Sequence, residues 1–108
     1  MNLSKILYGA GCLFTAVGLA AAAAAATGHN ISQKEKKFSE KKLSVAVGDT
    51  ITFVNDDSVK HNILIKDLGA NSGMQGPGEQ FAVTVDKGGK FKVRCGIHPK
   101  MKMTILAE

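Results

Sequence analysis

From residue 43 onward the chain alternates apolar and polar positions in short runs. Leu43-Ser44-Val45-Ala46-Val47 and Thr50-Ile51-Thr52-Phe53-Val54 each repeat every second residue, the period of a strand with one face buried. Their β-branched and aromatic content suits a pleated surface, and Gly48-Asp49 between them predicts a turn. Past the breaker Asn55-Asp56-Asp57-Ser58, Lys60 to Ile65 predicts a further strand, an antiparallel neighbour of the preceding one. Phe81–Val85 and Phe91–Cys95 alternate in the same way, and Asp86-Lys87-Gly88-Gly89 predicts a hairpin joining them. Ile31 to Gln33 opens the series, Phe38 is expected to drop into the core, and Thr104-Ile105-Leu106 closes it. Asp67 to Gly78, with four glycines, predicts a long loop of the kind that lines a functional end. No stretch after residue 26 has a helical period. The pattern predicts an all-β fold, a sandwich of about seven short strands.

The first 26 residues do not share this pattern. A short start containing Lys5 leads into an apolar, small-residue run that ends in alanines through Ala26. This predicts a signal peptide over residues 1–26, cleaved after Ala26, and a single domain over 27–108. An uncleaved anchor is the alternative, since about 20 apolar residues can span a bilayer; the weakly apolar alanines and the small-residue exit favour cleavage. A domain of that size has a limited core and benefits from a staple such as a metal. Cleavage removes Cys12, leaving Cys95 as the single cysteine of an exported chain, unable to close an internal disulfide. The net charge of +5 falls to +4 with the loss of Lys5. Five lysines between Lys34 and Lys42 read as a solvated strand edge. With only Phe38 among them and no arginine, they predict no nucleic-acid partner.

The chemistry concentrates in Cys95-Gly96-Ile97-His98-Pro99-Lys100-Met101, which supplies a thiolate, an imidazole and a thioether within seven residues. Soft sulfur ligands with borderline imidazole suit copper, and a trigonal His₂Cys site with a weak axial Met is an electron-transfer arrangement. The second histidine has one good candidate, His61 in Val59-Lys60-His61-Asn62-Ile63. Taken singly, such a cysteine reads as a small buried apolar group and such a methionine as core filling. Their coincidence at ligand spacing outweighs those readings. His29 would become the third residue after cleavage, where amine, amides and imidazole can hold Cu(II) in a plane, although a plain strand or tail residue is the better reading. Met74 is expected to fill a gap near the same end as the site.

The chain resembles the cupredoxins, nearest to their plastocyanin and amicyanin branch. The residues that carry the resemblance are Val47-Gly48-Asp49-Thr50 leading into Phe53-Val54-Asn55, then His61-Asn62, then Cys95 to Met101. The resemblance implies a Greek-key β-sandwich and one type 1 copper ion, with His61, Cys95 and His98 as equatorial ligands and Met101 as axial ligand. Met101 gives the shorter C-x₂-H-x₂-M loop; Met103 would give C-x₂-H-x₄-M and is the alternative, left otherwise to strand packing. Asn62 resembles an asparagine that ties the His loop to the Cys loop; Gly96 stands where many relatives have a hydroxyl, so part of that bracing is either backbone or absent. His98 is implied to emerge through an apolar patch, here with Ile97 and Pro99, beside Lys60, Lys100 and Lys102. The implied function is a monomeric, periplasmic one-electron carrier, not an enzyme. Its expected partner is a redox protein of cytochrome or dehydrogenase type with an acidic docking face, with no membrane contact after cleavage. Copper sequestration, delivery or tolerance is the alternative.

Overall fold

The computed structural model describes residues 25–108. The predicted leader thus lies almost wholly outside the described residues. Nine strands form two sheets: β1 (Gly28–Lys34), β2 (Lys37–Phe38), β3 (Lys42–Val45), β4 (Thr50–Asn55), β5 (Ile63–Ile65), β6 (Ala70–Asn71), β7 (Gln80–Thr84), β8 (Gly89–Cys95) and β9 (Lys102–Ala107). One sheet runs β2-β1-β4-β7 and the other β3-β9-β8-β5-β6. The β1–β4 and β3–β9 pairs are parallel and the rest antiparallel. A single 3₁₀ turn, Lys66–Leu68, follows β5.

The all-β sandwich agrees with the alternation in the sequence. β4 buries Ile51 and Phe53, β8 buries Phe91, Val93 and Cys95, and β9 buries Met103 and Ile105, in each case every second residue. These inner faces meet with Ile31, Ile63 and Val83 in one core. Phe38 lies at its margin, with its ring edge-on to that of Phe53 at 6.3 Å.

Three expectations change. The strand count is nine rather than about seven, because the two-residue pieces β2 and β6 are too short to alternate. β4 and β5 are not neighbours: they belong to opposite sheets, as do β7 and β8, so residues 85–88 form a crossover and not a hairpin. Val85 anchors that crossover, fully buried, with its N–H on the Asp49 carbonyl and its carbonyl receiving the Gly48 N–H. Two half-buried strands can lie side by side or face one another across the core, and alternation is the same in both cases.

The two ends of the fold differ. At one, β3 turns into β4 at Asp49, whose carboxylate accepts the Thr27 N–H (2.8 Å), the Ala46 N–H (2.9 Å) and His29 Nε2 (2.9 Å). At the other, β1, β4 and β8 run out together, and the segments that follow them converge.

Candidate metal centre

Cys95 is the last residue of β8, and alternation from Phe91 and Val93 points its side chain inward, 2% exposed. His61 comes from the segment between β4 and β5, fully buried, where it forms an isolated bridge with Gln75: His61 N–H to the Gln75 carbonyl at 3.0 Å and the reverse at 2.7 Å. His98 lies in the β8–β9 loop, closed by the Met101 N–H on the His98 carbonyl and the Cys95 N–H on the Met101 carbonyl. Cys95 Sγ lies 3.7 Å from His61 Nδ1 and 3.5 Å from His98 Nδ1. The three donor atoms all fall within 4.8 Å of one another. The two rings are tilted by 60° with centroids 4.9 Å apart. The predicted His61, Cys95 and His98 are thereby brought together.

Both predicted axial candidates are buried, but differently. Met103 packs in the core between the sheets. Met101 lies outside that cluster, lining a recess with His98 and Pro99 whose rim carries Lys36 and Lys100. Met74 fills no gap: its side chain is 56% exposed. Nor is His29 near the site, since it is held by Asp49 at the opposite end.

Several side chains that the sequence did not single out position the donors. Asp57 Oδ2 accepts His61 Nε2–H at 2.9 Å, which fixes the tautomer and leaves Nδ1 bare, facing the cysteine. The same oxygen accepts the Lys36 N–H at 2.8 Å. These contacts, the Lys36 N–H first and the His61 ring second, hold the Asp57 pKa down at about 2. Gln75 is buried, with Nε2 on the carbonyls of Phe53 and Glu79 and Oε1 receiving Gln33 Nε2. Asn55 Nδ2 caps the Gln75 and Val59 carbonyls. This network fixes the strand fragment that carries His61. An Asp at i−4 of a histidine is its only sequence signal. Burial lowers the pKa of His98, with the neighbouring His61 and Lys36 acting in the same direction.

Asn62 ties the His loop to the Cys loop through its backbone, one of the two expectations for a chain with glycine at position 96. Its N–H points at Cys95 Sγ (3.3 Å) and its carbonyl receives the Gly96 N–H (2.9 Å), so the link to the Cys loop is made by backbone. Its side-chain amide instead donates to Asn71 Oδ1 (2.9 Å) and the Gly73 carbonyl (3.0 Å). Gly96 lets this approach happen, for a Cβ on it would stand 2.5 Å from Asn62 Oδ1 and force that side chain to shift.

Two imidazole nitrogens and one buried thiol, the thiol without a second cysteine near it among the described residues, form a soft, compact donor set. The cupredoxin-like domain family matches residues 6–107. The chain belongs to the cupredoxin-like family. It is 28% identical over 77 residues to amicyanin of Paracoccus denitrificans, covering 67% of this chain and 59% of that one. To chloroplastic plastocyanin of Physcomitrium patens it is 29% identical over 72 residues, covering 56% and 43%. The chain thus spans about half the length of the curated relatives it matches. The structure of a purple cupredoxin from Nitrosopumilus maritimus superposes with a TM-score of 0.68 at 26% identity, over 74% of this cupredoxin and 99% of that one. Copper is the metal of the family, and the donor set fits it.

Proposed function

We propose that this cupredoxin is an exported one-electron carrier that binds a single type 1 copper through His61, Cys95 and His98, with Met101 as the weak axial ligand. The observation that carries the reading is the thiol of Cys95 facing the Nδ1 atoms of both histidines, at 3.7 and 3.5 Å. Copper supplies a Cu(II)/Cu(I) couple when bound. The chain contributes two buried donors and the half-buried His98, held by Asp57, the Asn62 backbone and the closed β8–β9 loop, that need little rearrangement between the two states. Met101 is preferred to Met103 because Met103 is committed to the core. A single ion filled by protein ligands leaves no open position for a substrate, so the carrier is not an enzyme.

In this reading the leader over residues 1–26 delivers the domain to the periplasm. The recess at His98, apolar within and rimmed by Lys36 and Lys100, is where a redox partner of cytochrome or dehydrogenase type meets it. Cationic rims favour an acidic partner and speed encounter at low salt.

The test is the visible spectrum with one equivalent of Cu(II), wild type beside Cys95→Ser. An intense thiolate-to-copper charge-transfer band that the mutant loses is expected. A pale spectrum indifferent to the substitution would overturn the reading. Ready surrender of copper to a chelator, with no electron exchange, would turn it toward copper delivery or tolerance.

A further inference from the structure

The outward face of the five-stranded sheet carries a charge pattern that neither the fold nor the metal centre requires. Alternation in β8 turns Lys90, Lys92 and Arg94 outward, all exposed, while β3 adds Lys42 and β9 adds Lys102. No aspartate or glutamate lies on any strand of this sheet. Lys41 and Lys100 flank the face beside Lys92 and Lys102. Lys66 lines a groove with Lys92 and Arg94, in which Asp67 is the one carboxylate. Among the described residues, no lysine or arginine makes an ion pair.

The register sharpens the point. Arg94 stands directly opposite Lys102, and Lys42 and Lys92 flank Thr104 from either side in one row. Like charges placed directly across a strand pair destabilise a sheet. Solubility alone is served by interspersed signs. Here five cations share the strands of one sheet, and the acids lie in turns and loops. The groove at the edge of that face is also lined by Cys95 and Gly96, which brings the surface to the backbone of the cysteine itself.

We infer that this sheet face is a docking surface for an acidic protein, centred on β8 and β9 and adjoining the recess at His98 through Lys100. The identity of that protein as a redox partner rests on the carrier reading above. Charge complementarity selects its chemistry, and the groove beside Cys95 favours a protein, with relief of its own, over a flat anionic membrane.

The test uses the copper-loaded, reduced protein and a deca-glutamate peptide, followed by amide NMR shifts. Shifts are expected along β8, β9 and β3, weakening steeply between low and high salt. Lys42→Glu with Lys92→Glu should weaken binding at least about tenfold, whereas Lys34→Glu with Lys37→Glu, the same charge change on the other sheet, should weaken it about twofold or less. Lys102→Glu should raise the melting temperature while weakening binding, since it replaces a repulsion by a cross-strand ion pair with Arg94. Equal loss in both double variants, or shifts confined to the surroundings of His98, would overturn the inference. So would capture by phosphatidylglycerol vesicles with no response to the peptide, which would make the face a membrane contact. The charge-transfer band of each variant, recorded on its oxidised Cu(II) form before reduction, separates failure of this inference from failure of the copper assignment.

Discussion

Gly96 and Asn62 show how closely single residues control the site. Asn62 can shift away from a new methyl group only at the expense of its amide bonds to Asn71 and Gly73. Gly96→Ala is therefore expected to lower stability by about 1–3 kcal/mol, the usual range for overpacking. Urea midpoints measure the loss, and Asn62→Ala in the same chain should recover part of it as a non-additive pair. Asp57 acts on the proposed ligand His61 instead of on packing. Removing a carboxylate that orients a ligating histidine costs roughly 10–100-fold in metal affinity. Asp57→Ala should show a loss of that order in competition with a Cu(I) chelator. Asp57→Asn, which keeps an oxygen for the Lys36 N–H, should fall between. The four proposed ligands were legible because thiol, imidazole and thioether are rare and their spacing is distinctive. Asp57, Gln33 and Gln75 were not, since amides and carboxylates are common and their partners lie up to 42 residues away. Asn55 stood in a recognisable motif, but its bonds to the Gln75 and Val59 carbonyls were not legible from it.

Among the elements, the β1–β2 hairpin and the β3–β4 turn carry separate predictions. The hairpin turns through Glu35 and Lys36 at φ 53° and 57°, left-handed positions that Asn-Gly fills at lower cost. Glu35→Asn with Lys36→Gly should stabilise the domain by about 1 kcal/mol in urea denaturation while keeping the backbone N–H that Asp57 accepts. At the β3–β4 turn, the pKa of Asp49 is lowered to about 2, chiefly by the hydrogen bond from His29 and then by the Thr27 and Ala46 amides. A depressed carboxylate stabilises the fold above its ordinary pKa of 3.8 and loses that contribution as the pH falls toward 2. Asp49→Asn should thus be less stable than wild type at pH 7, with the gap closing between pH 4 and pH 2. A constant gap in urea midpoints over that range would contradict it. These turns also mark where the sequence stops being legible. Alternation located β4, β7, β8 and β9 to within a few residues. It could not say that Val85 carries the chain across the core, because its burial looks the same in a hairpin as in a crossover.

For the molecule as a whole, the question is how much of its stability belongs to the metal. The core of Ile31, Phe53, Ile63, Val93 and Ile105 is assembled from both sheets without reference to the donors. The donors themselves are held by protein hydrogen bonds, Asp57 on His61 and the Asn62 N–H on Cys95. A domain built in this way folds before it is loaded, and copper adds to an existing stability. Linkage gives the increment: free ion at 100 times its dissociation constant adds about 2.7 kcal/mol. At roughly 4–8 °C per kcal/mol for a domain of this size, loading should raise the melting temperature by roughly 10–20 °C. Cys95→Ser should melt close to the metal-free wild type and gain little from copper, because oxygen replaces the soft donor while the packing is retained. A metal-free protein already unfolded at 25 °C would mean that copper is required for folding and that the two-sheet core is insufficient alone. An equal gain in wild type and Cys95→Ser would place the bound ion away from the cysteine. Calorimetry of both proteins, with and without one equivalent of copper, separates these outcomes.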